Sequence, residues 1–225
     1  SDLCSGIPDV FDIIVNPIPS VNSIPNQVIC NGSLTNEVVF GGSIVENTLY
    51  NWTNSNAAIG LAALTGTGNI AAFTTNNNGF YLPVITTLTV TPISNTCSGS
   101  PRSFSILVNP TPSVQTLPDA SYCEGSIVNQ LFTGSAVPGT IYQWTNTRPD
   151  IGLSASGTQS SFSFTALNDV NVPISALITV IPVSNSCSGT PTSFSLTIQP
   201  QPEVSLIASQ KICSNLPVTT ILLTG

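Results

Sequence analysis

Short segments in which apolar residues alternate with polar ones recur along the chain. Residues 102–108 and 192–198 alternate in this way, while residues 85–90 and 176–180 are rich in β-branched side chains. A strand with one face in solvent requires a period of two, because successive side chains point to opposite faces. Clusters of glycine, threonine and asparagine such as residues 65–69 are typical of turns. No segment sustains an apolar period of 3.6 residues, so the pattern predicts β structure throughout.

The six cysteines form two interleaved series, and these reveal an internal repeat. In both series, successive cysteines are about 90 residues apart, a period typical of whole domains in tandem. The aromatic segment 50–54 also recurs, as residues 142–146. The first series comprises Cys4, Cys97 and Cys187, and the second comprises Cys30, Cys123 and Cys213.

Each unit closes on a Pro-x-Pro step, and these steps predict the domain boundaries. Proline fixes φ and donates no backbone hydrogen bond, so it suits a junction better than a central strand. We expect complete repeats at residues 18–110 and 111–200. Residues 1–17 are then the last strand of a preceding repeat, and residues 201–225 are the first part of a following one. The chain is thus interpreted as a window from a longer array.

About seven short strands separated by turns fit each complete unit, a number typical of a sandwich of immunoglobulin type. The predicted fold class is therefore all-β, with tandem immunoglobulin-like antiparallel β-sandwiches. In the first unit we expect strands near residues 20–29, 34–40, 48–54, 57–64, 69–75, 84–91 and 102–108.

A single tryptophan in each unit is predicted to fill the middle of the core. Tyr50 and Trp52 share one face of a strand, because side chains two residues apart point the same way, and Tyr142 and Trp144 do the same. An exposed aromatic that binds a sugar or a peptide is the alternative. We favour the core role for all four residues.

Composition and charge exclude several classes of function. Only 6% of the 225 residues are charged while 41% are hydrophobic, which does not fit a disordered chain. Ten acidic and three basic residues do not fit nucleic-acid binding. Histidine, the commonest general base and metal ligand, is absent, and the acidic residues of the two units do not correspond. We therefore expect no enzyme, no catalytic residue, no metal site and no cofactor. No apolar run reaches the roughly 18 residues of a membrane-spanning helix.

The cysteines of such a β array are expected to form disulfides. Pairing inside each unit gives Cys30–Cys97 and Cys123–Cys187. Pairing across the junctions gives Cys4–Cys30, Cys97–Cys123 and Cys187–Cys213 instead. We favour the pairs inside the units, because the last strand and the linker should separate Cys97 from Cys123 by far more than the roughly 7 Å between Cα atoms that a disulfide tolerates. In that case Cys4 and Cys213 have partners elsewhere.

Several motifs carry a resemblance to a known family. Each unit resembles the PKD-like domains of long surface proteins from gliding and related Bacteroidota. The resemblance implies an immunoglobulin-like β-sandwich, export by the type IX route and a place in very large adhesins or filaments, and it brings no catalytic residues. The second unit departs from the pattern at residues 158–160, where a glycine-rich turn is lost. The motifs are Val-Ile-Cys-Asn-Gly, Tyr-x-Trp-Thr-Asn, Ile-Gly-Leu, Thr-Gly-Thr-Gly-Asn-Ile, Leu-Thr-Val-Thr-Pro, Cys-Ser-Gly-x-Pro and Val-Asn-Pro-x-Pro.

The leading functional prediction is a structural one: the units form the stalk or filament shaft of a secreted adhesin at the bacterial cell surface. Their partners are then neighbouring repeats of the same chain, with lateral self-association into a filament as a further possibility. The alternative is that the repeats bind polysaccharide or another surface protein directly. A third reading makes them spacers of an enzyme whose catalytic domain lies outside this sequence.

Overall fold

The computed structural model describes residues 6–205, 207, 209–215, 217 and 220–222. The chain divides into two units, of which the first ends at Pro110 and the second begins at Thr111, inside a Pro-x-Pro step. Both units are all-β. The assignment of residues 1–17 and 201–225 to neighbouring repeats stays a prediction.

Unit 1 is built on one large sheet with the strand order β1-β6-β4-β2-β3, and β5 pairs with the far end of β4. Every neighbouring pair in this sheet is antiparallel except β1 and β6, which are parallel. The strands are β1 (Gln27–Cys30), β2 (Leu49–Asn54), β3 (Thr65–Thr67), β4 (Val84–Ser94), β5 (Cys97–Ser98) and β6 (Arg102–Asn109).

Unit 2 repeats this arrangement with the order β10-β9-β12-β14-β7, and β13 pairs with β12. Its first strand is again parallel to its last. A separate two-stranded sheet, formed by β8 and β11, makes the opposite layer. The strands are β7 (Ala120–Cys123), β8 (Ile127–Leu131), β9 (Ile141–Asn146), β10 (Ser156–Gly157), β11 (Ser161–Thr165), β12 (Ile174–Ser184), β13 (Cys187–Ser188) and β14 (Thr192–Gln199).

The opposite layer of unit 1 is less regular. The segments predicted as strands at 34–40 and 69–75 meet only through isolated bridges, Leu34 with Thr74 and Val38 with Ile70. Side chains from both layers form one core per unit, because alternate residues of each strand point inward. Completely buried core residues include Leu88, Val90, Ile106 and Val108 in unit 1 and Ile178, Val180 and Ile198 in unit 2.

The strand predicted at 20–29 is split in two at Pro25. Before the proline, the Asn22 amide donates to the Gly41 carbonyl, so this part lies with the opposite layer. After it, β1 joins the large sheet beside β6. Proline cannot donate a ladder hydrogen bond, which explains why the strand changes layers there.

The strand predicted at 57–64 is wrong. Residues Ala57–Ile59 form a 3-10 turn, capped by the Asn56 side chain, which accepts from the Ala58 amide. Gly60 ends the turn in the left-handed region at φ 109°. The turn drives Ile59 into the core, where it is fully buried. Unit 2 has the same turn at Pro149–Ile151.

Candidate functional sites

The predicted core aromatics all lie against the hydrophobic cores. Trp52 and Trp144 are 7% and 4% exposed. Tyr142 is buried and Tyr50 is half-buried, and each packs against a phenylalanine ring, with centroids 5.9 Å and 5.7 Å apart respectively. The described tryptophans therefore offer no exposed aromatic platform for a sugar ring.

A glycine on an edge strand makes room for each tryptophan. A Cβ at Gly66 would lie 2.1 Å from Cζ2 of Trp52, and one at Gly157 would lie 2.4 Å from the same atom of Trp144. The indole ring therefore packs flat against the edge-strand backbone. The segment 65–69, predicted as a turn, contains this edge strand β3. The loss of glycine at residues 158–160 leaves the contact intact, because Gly157 is retained.

The two indole N–H groups differ in their partners. Nε1 of Trp52 donates to the Gly68 carbonyl at 3.1 Å. Nε1 of Trp144 is buried and has no hydrogen-bond partner among the described residues. The position of Gly68, which has φ +77°, is occupied by Gln159 in unit 2. Loss of the glycine-rich turn thus removes the carbonyl acceptor rather than the packing.

Gly68→Ala is expected to destabilise unit 1 by about 1 kcal/mol, the usual cost of forcing an L side chain into the left-handed region. Steric overlap contributes nothing, since no atom lies within 4 Å of the added Cβ. Thermal denaturation of the variant measures the effect. Gln159→Ala is the matched control and should change stability by no more than about 0.5 kcal/mol. Equal stabilities of the two variants would contradict the role assigned to this turn.

Buried asparagines hold the loop that follows β2 in unit 1 and β9 in unit 2. Nδ2 of Asn54 donates to the carbonyls of Leu61 and Ala63, at 2.9 and 3.0 Å. Nδ2 of Asn146 donates to the Leu153 carbonyl at 2.9 Å. Sequence reasoning missed this function, although the recurrence of Trp-Thr-Asn was its signal. The amide side chain replaces the ladder partners that the irregular loop lacks.

A second pair of asparagines pins the opposite end of each unit. Nδ2 of Asn77 donates to the Val108 carbonyl at 2.9 Å, and Nδ2 of Asn168 donates to the Ile198 carbonyl at the same distance. Both side chains are buried. Each fixes a loop to the end of the last strand, so the recurring polar residues here also have structural roles.

The predicted disulfides Cys30–Cys97 and Cys123–Cys187 are not formed, which corrects the sequence interpretation. Cys97 and Cys123 are free thiols, the first half-buried and the second exposed. Cys30 and Cys187 are disulfide-bonded. Cys213 is also a free thiol. Cys4 lies outside the described residues, so the predicted pair Cys4–Cys30 is not described.

Strand register explains why pairs inside a unit cannot form. Cys30 lies opposite Asn109, beside the Val84 end of β4. Cys97 lies opposite Ser94, at the other end of β4. Ten residue steps of strand separate these ends, a distance of roughly 30 Å. The Cα atoms of a disulfide lie within about 7 Å, and the same register in unit 2 separates its two cysteines.

The outer face of each large sheet is rich in hydroxyl and amide groups and carries little charge. In unit 1 a shallow depression of about 520 Å³ is lined by residues including Asn51, Thr53 and Thr67. The hydroxyl oxygens of Thr89 and Ser103 lie 2.8 Å apart across the strands, and the equivalent pair in unit 2 lies 2.9 Å apart. This hydroxyl-rich face is the described surface that could contact a neutral polar ligand.

Ionisable groups contribute little geometry to either unit. Nη2 of Arg148 lies 2.6 Å from Oδ2 of Asp150 in an exposed ion pair. A hydrogen bond from Arg148 lowers the pKa of the Asp150 carboxyl, and the same bond raises the pKa of Arg148. A lowered carboxyl pKa gives a contribution to stability above the ordinary pKa that is lost as the pH falls. Among the described residues, no group of three or more histidine, cysteine or acidic side chains is arranged to hold a metal ion.

The fold can now be compared with known proteins. No family model and no curated protein matches the chain. An I-band fragment of titin is 13% identical over 83% of this chain and 67% of that chain, with a TM-score of 0.50. Both units are immunoglobulin-like domains.

Further solved structures are similar to this immunoglobulin-like pair at lower scores. The first two immunoglobulin domains of DIP-gamma are 13% identical, with 82% of this chain and 99% of that chain covered and a TM-score of 0.42. Immunoglobulin domains 1–4 of Sidekick-1 are 11% identical, with 80% and 48% covered and a TM-score of 0.43. Within the described part of the chain, no helix is long and apolar enough to cross a membrane.

Proposed function

We propose that the two units are structural repeats in the stalk or filament shaft of a secreted adhesin on a bacterial cell surface. Their motifs resemble those of PKD-like repeats in surface and gliding-motility proteins of Bacteroidota, which supports export by the type IX route. The immunoglobulin-like fold agrees with that resemblance. In this role the partners are the neighbouring repeats of the same chain, and lateral self-association would build a filament.

The observation that carries this proposal is the use of the buried side chains that recur between the units. Trp52 and Trp144 fill equivalent places in the two cores. Asn54 and Asn146 bond the loop carbonyls, and Phe104 and its counterpart in unit 2 are buried. Each recurring group therefore stabilises the domain itself. A repeat that maintains only its own fold is what a spacer requires.

Disulfide chemistry supports the extracellular location. Cys30 and Cys187 are disulfide-bonded, and structural disulfides persist mainly in oxidising compartments. The low charge of the chain gives little attraction to nucleic acid or to anionic lipid.

A domain exchange tests the spacer function. In the natural chain, residues 18–200 are replaced by two unrelated immunoglobulin-like domains of equal length, and a matched variant lacks residues 18–200 altogether. We expect the exchange to preserve adhesion of intact cells and the deletion to reduce it, because a spacer acts through its length. Antibody labelling of intact cells reports whether each variant reaches the surface.

The opposite outcome favours the alternative function. If the exchange fails as badly as the deletion while surface labelling is unchanged, the units contain a binding site of their own. The hydroxyl-rich face is the surface that favours this reading, since it recurs in both units and suits a neutral polysaccharide. Removal of hydroxyls at Thr53 and Thr89 should then reduce retention on immobilised neutral polysaccharide.

A further inference from the structure

The opening cysteine of each unit lies at the end where the chain leaves that unit. Cys30, the last residue of β1, is directly opposite Asn109, the last residue of β6. The amide of Asn31 donates to the Asn109 carbonyl at 2.9 Å, which fixes this register. Cys123 has the same position in unit 2, opposite Gln199.

The hairpin cysteine of each unit lies at the end where the chain enters. In unit 1 the Cys97 thiol is 4.0 Å from the Asn16 carbonyl oxygen, and the thiol donates to that oxygen. In unit 2 a Cβ at Gly189, two residues after Cys187, would lie 1.9 Å from the Pro112 carbonyl oxygen. The hairpin β12–β13 is therefore seated on the first residues of its own unit.

The internal repeat brings these two observations to one stretch of chain. Asn16 and Asn109 occupy equivalent positions in the Val-Asn-Pro motif. Cys97 reaches Asn16, so its counterpart Cys187 is expected beside Asn109, which Cys30 already faces. The three residue steps from Asn109 to Pro112 span at most about 11 Å. Each unit, by its own structure, thus delivers one cysteine to the linker.

We propose that Cys30 and Cys187 are bonded to each other, and that this pair is the rule of the array. The opening cysteine of one unit is joined to the hairpin cysteine of the next. The observed states of the cysteines agree, because Cys30 and Cys187 are disulfide-bonded whereas Cys97 and Cys123 are free thiols. In an array of more units, the same rule would join Cys97 to the opening cysteine of a preceding unit and Cys123 to the hairpin cysteine of a following one.

The bond forms by thiol–disulfide exchange with an oxidised dithiol carrier of the secretory compartment. The thiolate of one cysteine attacks a carrier sulfur, and the carrier's S–S bond breaks to release one carrier thiolate. The thiolate of the second cysteine then attacks the resulting mixed disulfide and expels the second carrier thiolate. The two cysteine thiols lose two protons and two electrons, and the carrier disulfide gains them.

Tryptic mapping without reduction tests the pairing. The chain is denatured with an alkylating agent and cleaved after Arg102 and Lys211, while the Arg148–Pro149 bond resists trypsin. We expect fragments 1–102 and 103–211 to stay linked until a reductant is added, with Cys97 and Cys123 carrying the alkyl label. Cys30→Ala should abolish the linked species and expose the Cys187 thiol to the label.

The double variant Cys97→Ala/Cys123→Ala is the matched control and should retain the linked species. Separation of the two fragments without reductant would overturn the proposal, since pairs inside the units or pairs with Cys4 and Cys213 would produce it. Loss of the linked species in the double variant would overturn it in favour of Cys97–Cys123. Because the purified chain is mapped without reference to adhesion, failure here leaves the stalk function standing.

Discussion

Trp52→Ala should be the most damaging single substitution in unit 1. The side chain is 7% exposed and contributes to the core between the two layers, and its indole N–H bonds the Gly68 carbonyl. Truncation of a buried tryptophan costs about 3–5 kcal/mol, because apolar contacts are lost and the neighbouring strands close the cavity only in part. For a domain of this size the melting temperature falls by roughly 4–8 °C per kcal/mol.

Calorimetry and fluorescence measure this effect together. In the variant, Trp144 is the remaining tryptophan and reports unit 2, whose transition should change far less because distant sites behave additively. Tyr81→Ala is the matched control, since that aromatic side chain is 55% exposed. If both substitutions lowered the first transition equally, the packing role assigned to Trp52 would be wrong.

Asn54→Ala should destabilise unit 1 by several kcal/mol through a polar defect. The side chain donates to Leu61 and Ala63 and accepts from the Asn56 amide at 3.1 Å. The Thr86 hydroxyl, completely buried, also donates to it. Each buried polar group left without a partner costs about 1–3 kcal/mol. Chemical denaturation gives the change in the free energy of unfolding.

Two further variants separate this network from the general effect of losing an amide. Asn51→Ala removes an exposed asparagine two residues earlier on the same strand and should cost no more than about 0.5 kcal/mol. Thr86→Ala reproduces the residue of unit 2, where the fully buried Ala176 occupies the equivalent position, and should cost less than Asn54→Ala. A cost for Asn54→Ala as small as that for Asn51→Ala would refute the loop-holding role.

Periodicity was sufficient to predict the central strands and the core. The alternation in residues 102–108 matches β6, and the apolar residues of 84–91 match the buried side of β4. These strands are long and half-buried, so the period of two is set by local sequence alone. The placement of one tryptophan in each core follows from the same argument.

The turn at Ala57–Ile59 and the path of the cysteines could not be predicted in this way. The turn depends on the cap from Asn56 and on Gly60, which outweigh the apolar character of the segment. The error in disulfide pairing came from a missing register. Only the parallel pairing of β1 with β6 shows that Cys30 lies at the far end of the sheet from Cys97. Long-range pairing is a tertiary property that neither spacing nor composition encodes.

That parallel pairing also determines how tension acts on a single unit. In unit 1, β1 is the first strand and β6 is the last, and they lie side by side over four matched residues. Opposite pulls on the two ends of the unit therefore slide one strand along the other, so the hydrogen bonds between them are loaded in shear and must fail together. An antiparallel first and last strand would instead be peeled apart one bond at a time. Unit 2 has the same geometry in β7 and β14, so each domain meets stretching with its most cooperative set of bonds.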